Sequence, residues 1–140
     1  MGRRLGDRFW SPVEGSPLAL ERSVVAMGEP WKVIDVVGLR YYQHGREDGL
    51  GGVVRPFAGD RLSLIRRPEN QYDGNAIEVW WRNGLHLGHV PRGCAEWLAP
   101  ELDAGRAIRA YVLRPLASGM EAILLGTALE TRGERSDPAG

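Results

Sequence analysis

The chain has 140 residues, 43% of them apolar and 26% charged, and its formal net charge is zero. These values fit one folded domain with a single core and exclude a protein that coats duplex DNA by a large basic excess. Lys32 is the only lysine among the 18 Lys+Arg residues, so the cations are almost all planar guanidiniums, which meet phosphate as a fork and stack on rings.

Residues 1–30 read as an N-terminal arm, punctuated by Pro12, Pro17 and Pro30 and able to pack through Trp10. Arg3 and Arg4 have no apolar run behind them, so no secretory signal is expected. No stretch approaches the ~18 apolar residues of a membrane span, and a soluble, cytoplasmic protein without membrane contact is expected. Trp31 to Arg40 is rich in Val and Ile and predicts a buried strand. A glycine-rich loop follows up to Asp60; its Gly51-Gly52 lacks the Gly-Lys-Ser/Thr of a phosphate loop. Asp60 to Arg66 alternates as a strand, with Leu62 and Leu64 on one side. Ala76 to Arg82 also alternates, setting Ile77, Val79 and Trp81 against Glu78, Trp80 and Arg82.

Asn83-Gly84 predicts a two-residue hairpin turn, with Leu85 to Val90 as the return strand. That turn sets Arg82 opposite Leu85, Trp80 opposite Leu87 and Glu78 opposite His89. Pro91 suits the first turn of a helix carrying Cys94, Trp97 and Leu98 on one stripe. Pro100 is expected to break that helix near Ala99, and Gly105 to cap a further short turn. Ala107–Arg114 and Met120–Leu129 read as strands. Residues 131–140 are polar and read as a disordered tail. The fold class is mostly β: a small OB-like or SH3-like β-barrel of five to six strands with one or two short helices, over residues 31–130.

Three segments carry candidate chemistry. Asn70 to Val79 puts Tyr72 and Asp73 in a turn before a strand. Gly38 to Tyr42 brings Arg40, Tyr41 and Tyr42, and Gly88 to Arg92 brings His89 and Arg92. Rings stack on bases, cations meet phosphates, and an ionised acid accepts a hydrogen bond from a terminal hydroxyl. Each residue also has a plainer reading. Asp73-Gly74 serves as a turn whose carboxylate bonds backbone N–H groups. Of Tyr41 and Tyr42, strand neighbours, one faces in and one out. His89 pairs across the strands with Glu78, and Arg66 and Arg67 form a solvated face.

The order and spacing of five strings resemble the HIRAN domain: Val37 to Tyr42, Asp60 to Asn70, Tyr72 to Val79, Leu87 to Arg92 and Leu98 to Gly105. The resemblance covers about residues 31–114. It implies a small OB-like or SH3-like barrel, found in Swi/Snf-type DNA translocases and alone in bacterial proteins. It also implies capture of the 3′ end of single-stranded DNA. Position by position, Arg40 would contact phosphate, Tyr41 and Tyr72 would stack on bases, and Asp73 would accept from the 3′-hydroxyl. His89 and Arg92 would add polar and cationic contacts.

Two departures stand out. Pro91-Arg92 replaces two consecutive lysines, and the glycine-rich loop is longer. The partner implied is single-stranded DNA or a DNA 3′ end, together with a DNA-repair or replication protein; the alternative is a protein-interaction module that does not bind DNA. No catalytic residue, cofactor or metal is expected. Asp73, His89 and Ser63 match no triad order. His44 and His86 have no sequence partner at metal-ligand spacing, and Cys94, the single cysteine, cannot build a thiolate cluster.

Overall fold

A computed structural model describes residues 13–129 apart from Gln43, Asp48 and Ser118, together with the backbone of residues 134–135. Trp10, Arg3 and Arg4, the rest of the tail and the side chain of Arg40 lie outside the described residues. The strands are β1 (Pro30–Asp35), β2 (Arg61–Arg66), β3 (Ile77–Trp81), β4 (Leu85–His89), β5 (Arg109–Leu116), β6 (Gly119–Leu125) and β7 (Glu134–Arg135). The helices are α1 (Arg22–Ala26) and α2 (Arg92–Asp103). The strands form one sheet in the order β4-β3-β2-β5-β6-β1-β7, antiparallel at each pairing. The mostly-β class holds, but the sheet is not closed by a full ladder. Among the described residues, its two sides meet at a single bridge, where Val37 beyond β1 exchanges two 2.9 Å hydrogen bonds with His89 of β4. Gly88 permits this approach: a Cβ there would sit 2.3 Å from the Val37 carbonyl oxygen.

Strand alternation sorts the apolar residues into two buried clusters. Ile34, Val36, Leu62, Ile77, Val79, Leu87, Val112 and Leu124 pack with Ala95 and Leu98 of α2. Trp31, Tyr111, Leu113, Ile123 and Leu125 face the other way and are covered by Leu18 and Val25. The arm therefore builds a second core over its residues 18–26, which its broken periodicity did not predict. Arg109 clamps it through Glu21 and Glu29, and Tyr111 donates to Glu21. The expected tail likewise contains β7, which pairs with Pro30 and Trp31.

Three further expectations are corrected. The strand expected to reach Arg40 ends at Asp35, and Leu39–Tyr41 forms a 3-10 turn entered through Gly38 at φ +77°. Pro100 sits inside a continuous α2. The helix survives the missing donor because Ala95, Leu98 and Ala99 anchor the turn before it and Leu102 packs on the core after it. The glycine expected to cap a separate short turn instead caps α2 itself, in a Schellman pattern with Gly105 N–H on Leu102 O and Arg106 N–H on Glu101 O. The hairpin turn centres on Arg82-Asn83, at φ +53° and +59°, one residue earlier than expected. Trp81 then pairs with Leu85 and Trp80 with His86. A bulge between Val79 and Trp80 restores the predicted pair Glu78–His89. Among the described residues, no helix is long and apolar enough to cross a membrane.

Candidate functional site

The turn from Asn70 to Ala76 is built by its own side chains. Asn70 Oδ1 accepts from the backbone N–H groups of Tyr72 (2.8 Å) and Asp73 (3.0 Å). Asp73 Oδ1 accepts from Asn75 N–H at 2.9 Å, the Asx arrangement that such residues favour. Arg66 fastens the turn from beneath. Its guanidinium donates to Ala76 O (2.8 Å) and Gly74 O (2.9 Å) and pairs with Asp103 of α2 at 2.9 Å. This arginine is structural rather than solvated, with 14% of its side chain exposed. The sequence carried a signal for it: Arg66 shares strand parity with Leu62 and Leu64, so it points toward the core side and needs partners there.

On this frame Tyr72 projects into solvent, 80% exposed. The Asp73 side chain beside it is 23% exposed. Arg92, the first residue of α2, donates to the Tyr72 carbonyl at 2.9 Å and lies 3.5 Å from Asp73 Oδ2. Tyr72, Asp73 and Arg92 are thus brought together. The carboxylate serves the turn through one oxygen and meets a cation through the other, so the turn role and an open site coexist.

A second group gathers around β3 and β4. Tyr42 stacks on His86 with ring centroids 3.9 Å apart and lies 5.3 Å from His89. Trp80 also stacks on His86, with ring centroids 5.0 Å apart and nearly parallel rings. Glu78 Oε1 accepts from Trp80 Nε1 (2.8 Å) and Arg67 Nε (3.0 Å). Burial alone would raise the Glu78 carboxyl, but these bonds and the nearby His86 hold it below its ordinary range. Burial, then repulsion from His86, keeps the His89 imidazole below its usual value against the pull of Glu78. A groove of about 240 Å³ adjoins Trp80, lined by Ser63, Ile65, Arg67 and Asn83.

His89 belongs to this second group, as a cross-strand partner of Glu78. Tyr41 is exposed next to Tyr42, and the Arg40 side chain is outside the described residues. Sequence reasoning missed His86, which the predicted register turned toward the core. It now stands within 4.8 Å of Glu78 and His89, ligand atom to ligand atom. The shifted turn is the cause, and Arg82 at positive φ gave no local warning of it.

The HIRAN domain model matches residues 33–119. The chain is 34% identical over 102 residues to a putative SWI/SNF-related matrix-associated actin-dependent regulator of chromatin subfamily A member 3-like 1 of Arabidopsis thaliana, covering 70% of this chain and 10% of that protein. It is 41% identical over 68 residues to the helicase-like transcription factor of Mus musculus, covering 49% of this chain and 6% of that one. The chain thus spans a tenth or less of these relatives. The crystal structure of the HIRAN domain of human HLTF superposes with a TM-score of 0.58 at 28% identity, covering 79% of this chain and 97% of that one. A Lactobacillus plantarum protein structure gives 0.58 at 27% identity, covering 71% and 94%.

Proposed function

This chain belongs to the HIRAN domain family, and from that premise we propose that it binds single-stranded DNA at a free 3′-hydroxyl end. The observation that carries the reading is the exposed Tyr72 ring beside an accessible Asp73 carboxylate backed by Arg92. A largely exposed ring on a turn has no core to fill, and a stacked base contributes ~1–3 kcal/mol. An ionised acid repels a phosphate and accepts from a hydroxyl, so it sorts ends by rejecting the wrong one. Arg92 lowers the cost of placing that acid near a polyanion. Tyr41 and Arg40 extend the contact along the strand, and His89 adds a polar contact. The module performs no catalytic step. On this reading its protein partners belong to DNA repair or replication, and it acts in the cytoplasm.

The test is a fluorescence-anisotropy titration of a short oligonucleotide with a 3′-hydroxyl against the same strand with a 3′-phosphate. We expect the hydroxyl end to bind more tightly; equal affinities reject end recognition. A protein-interaction reading draws on Leu50, Val53 and Phe57, exposed on the glycine-rich loop. Absence of any oligonucleotide binding at low salt, with a stable protein partner in pull-down, would favour it.

A further inference from the structure

We infer that Glu78, His86 and His89 form a site for a divalent transition-metal ion of the zinc class. The three side chains come from the two strands of one hairpin, and their ligand atoms all lie within 4.8 Å of one another. Two imidazoles and a carboxylate are a donor set suited to Zn²⁺, with a fourth position left for water or another ligand. Tetrahedral closure places ligand atoms about 3.4 Å apart around bonds of roughly 2.1 Å, so the site requires the three side chains to draw together from the spacing seen here.

The backbone is irregular at the place where the site needs it to be. His86 and His89 are three residues apart, so a regular strand would put them on opposite faces. The bulge between Val79 and Trp80 pairs Trp80 with His86 while Glu78 keeps His89, which turns both rings to one side. His86 is then held between Tyr42 and Trp80. Its Nε2 lies 3.0 Å from the Gly88 carbonyl. A carbonyl only accepts, so Nε2 carries the proton, and in the neutral ring Nδ1 carries the lone pair. An imidazole that ligates through one nitrogen and donates its other N–H to a backbone carbonyl is the common outer-shell arrangement of metal sites. The Glu78 carboxylate is oriented in the same manner, by Trp80 and Arg67 on Oε1. Nothing here depends on DNA binding.

Protein carrying no histidine tag, stripped with a chelator, is titrated calorimetrically with Zn²⁺ in the absence of DNA. One site per chain is expected, and Co²⁺ is expected to give the visible bands of a four-coordinate ion. His86→Ala and His89→Ala should each weaken binding at least about tenfold, while His44→Ala should leave it unchanged. To keep the test independent of how well a histidine variant folds, the wild-type chain is also followed by NMR with substoichiometric Co²⁺. Selective loss of the His86 and His89 ring signals, with His44 spared, supports the site. No Zn²⁺ binding by the folded protein, or binding that His86→Ala and His89→Ala leave intact, overturns it.

Discussion

Position 73 holds an acid that both builds the turn and faces solvent, and substitution can separate those duties. Asp73→Asn keeps an oxygen to accept from Asn75 N–H and removes the charge that meets Arg92. We expect thermal stability to change little and the preference for a 3′-hydroxyl over a 3′-phosphate to fall about ten- to a hundredfold, the size of one charge-assisted hydrogen bond. A variant that instead unfolds would assign the carboxylate to the turn alone. Arg92→Ala removes a cation and the donor to the Tyr72 carbonyl. It should weaken every strand alike and reduce the salt slope by about one, measured by titration at several salt concentrations. At this scale the sequence was legible where chemistry is local. The turn holding Tyr72 and Asp73 and the helix start holding Arg92 are short-range features, while the contact between them spans twenty residues and belongs to the tertiary fold. Strand parity put Arg66 on the core side but did not name its partners Gly74, Ala76 and Asp103.

Among the elements, the β3–β4 hairpin governs what the outer face presents. Clean alternation identified β3, whose Ile77, Val79 and Trp81 are buried as expected. The turn residues were misplaced by one, and one residue of slip reverses a strand face. The bulge confines that reversal to the end nearest the turn. The bridge from Val37 to His89 then fixes the far end, through the space Gly88 leaves. Gly88→Ala would press a methyl against the Val37 carbonyl oxygen. The expected cost is ~1–3 kcal/mol in denaturant unfolding, with faster hydrogen exchange at the Val37 and His89 amides. Unchanged protection at those two amides would refute the role given to the bridge.

The whole molecule is two packed layers on one sheet, and the arm supplies the outer one. Burying Leu18 and Val25 is favourable by ~1.5–3 kcal/mol each, and the Arg109 clamp directs them to their place. Burial would raise the Glu21 carboxyl, but Arg109 and Tyr111 together lower it. Its contribution is therefore complete above the ordinary carboxylate range, about pH 4.3, and is lost as pH falls through the lowered folded value. Protection of residues 18–26 against hydrogen exchange, relative to the intrinsic rate, should fall on acidification below about pH 4 before that of β5 and β6. Arg109→Met should lose the same protection already at neutral pH. An arm that stays protected in that variant would show that apolar packing alone holds it.

The sequence by itself determined the strand-rich class, the faces of β2 and β3, the glycine cap at Gly105 and the turn that offers Tyr72 and Asp73. These follow from period, turn chemistry and capping, which act over a few residues. Tertiary structure alone decided the docking of the arm, the continuity of α2 through Pro100, the open sheet pinned at Val37–His89, and the meeting of His86 with Glu78 and His89. The first three are settled by packing and hydrogen bonds made across the fold, and the last by a turn and bulge whose register the sequence pattern left ambiguous, contests that no local pattern records.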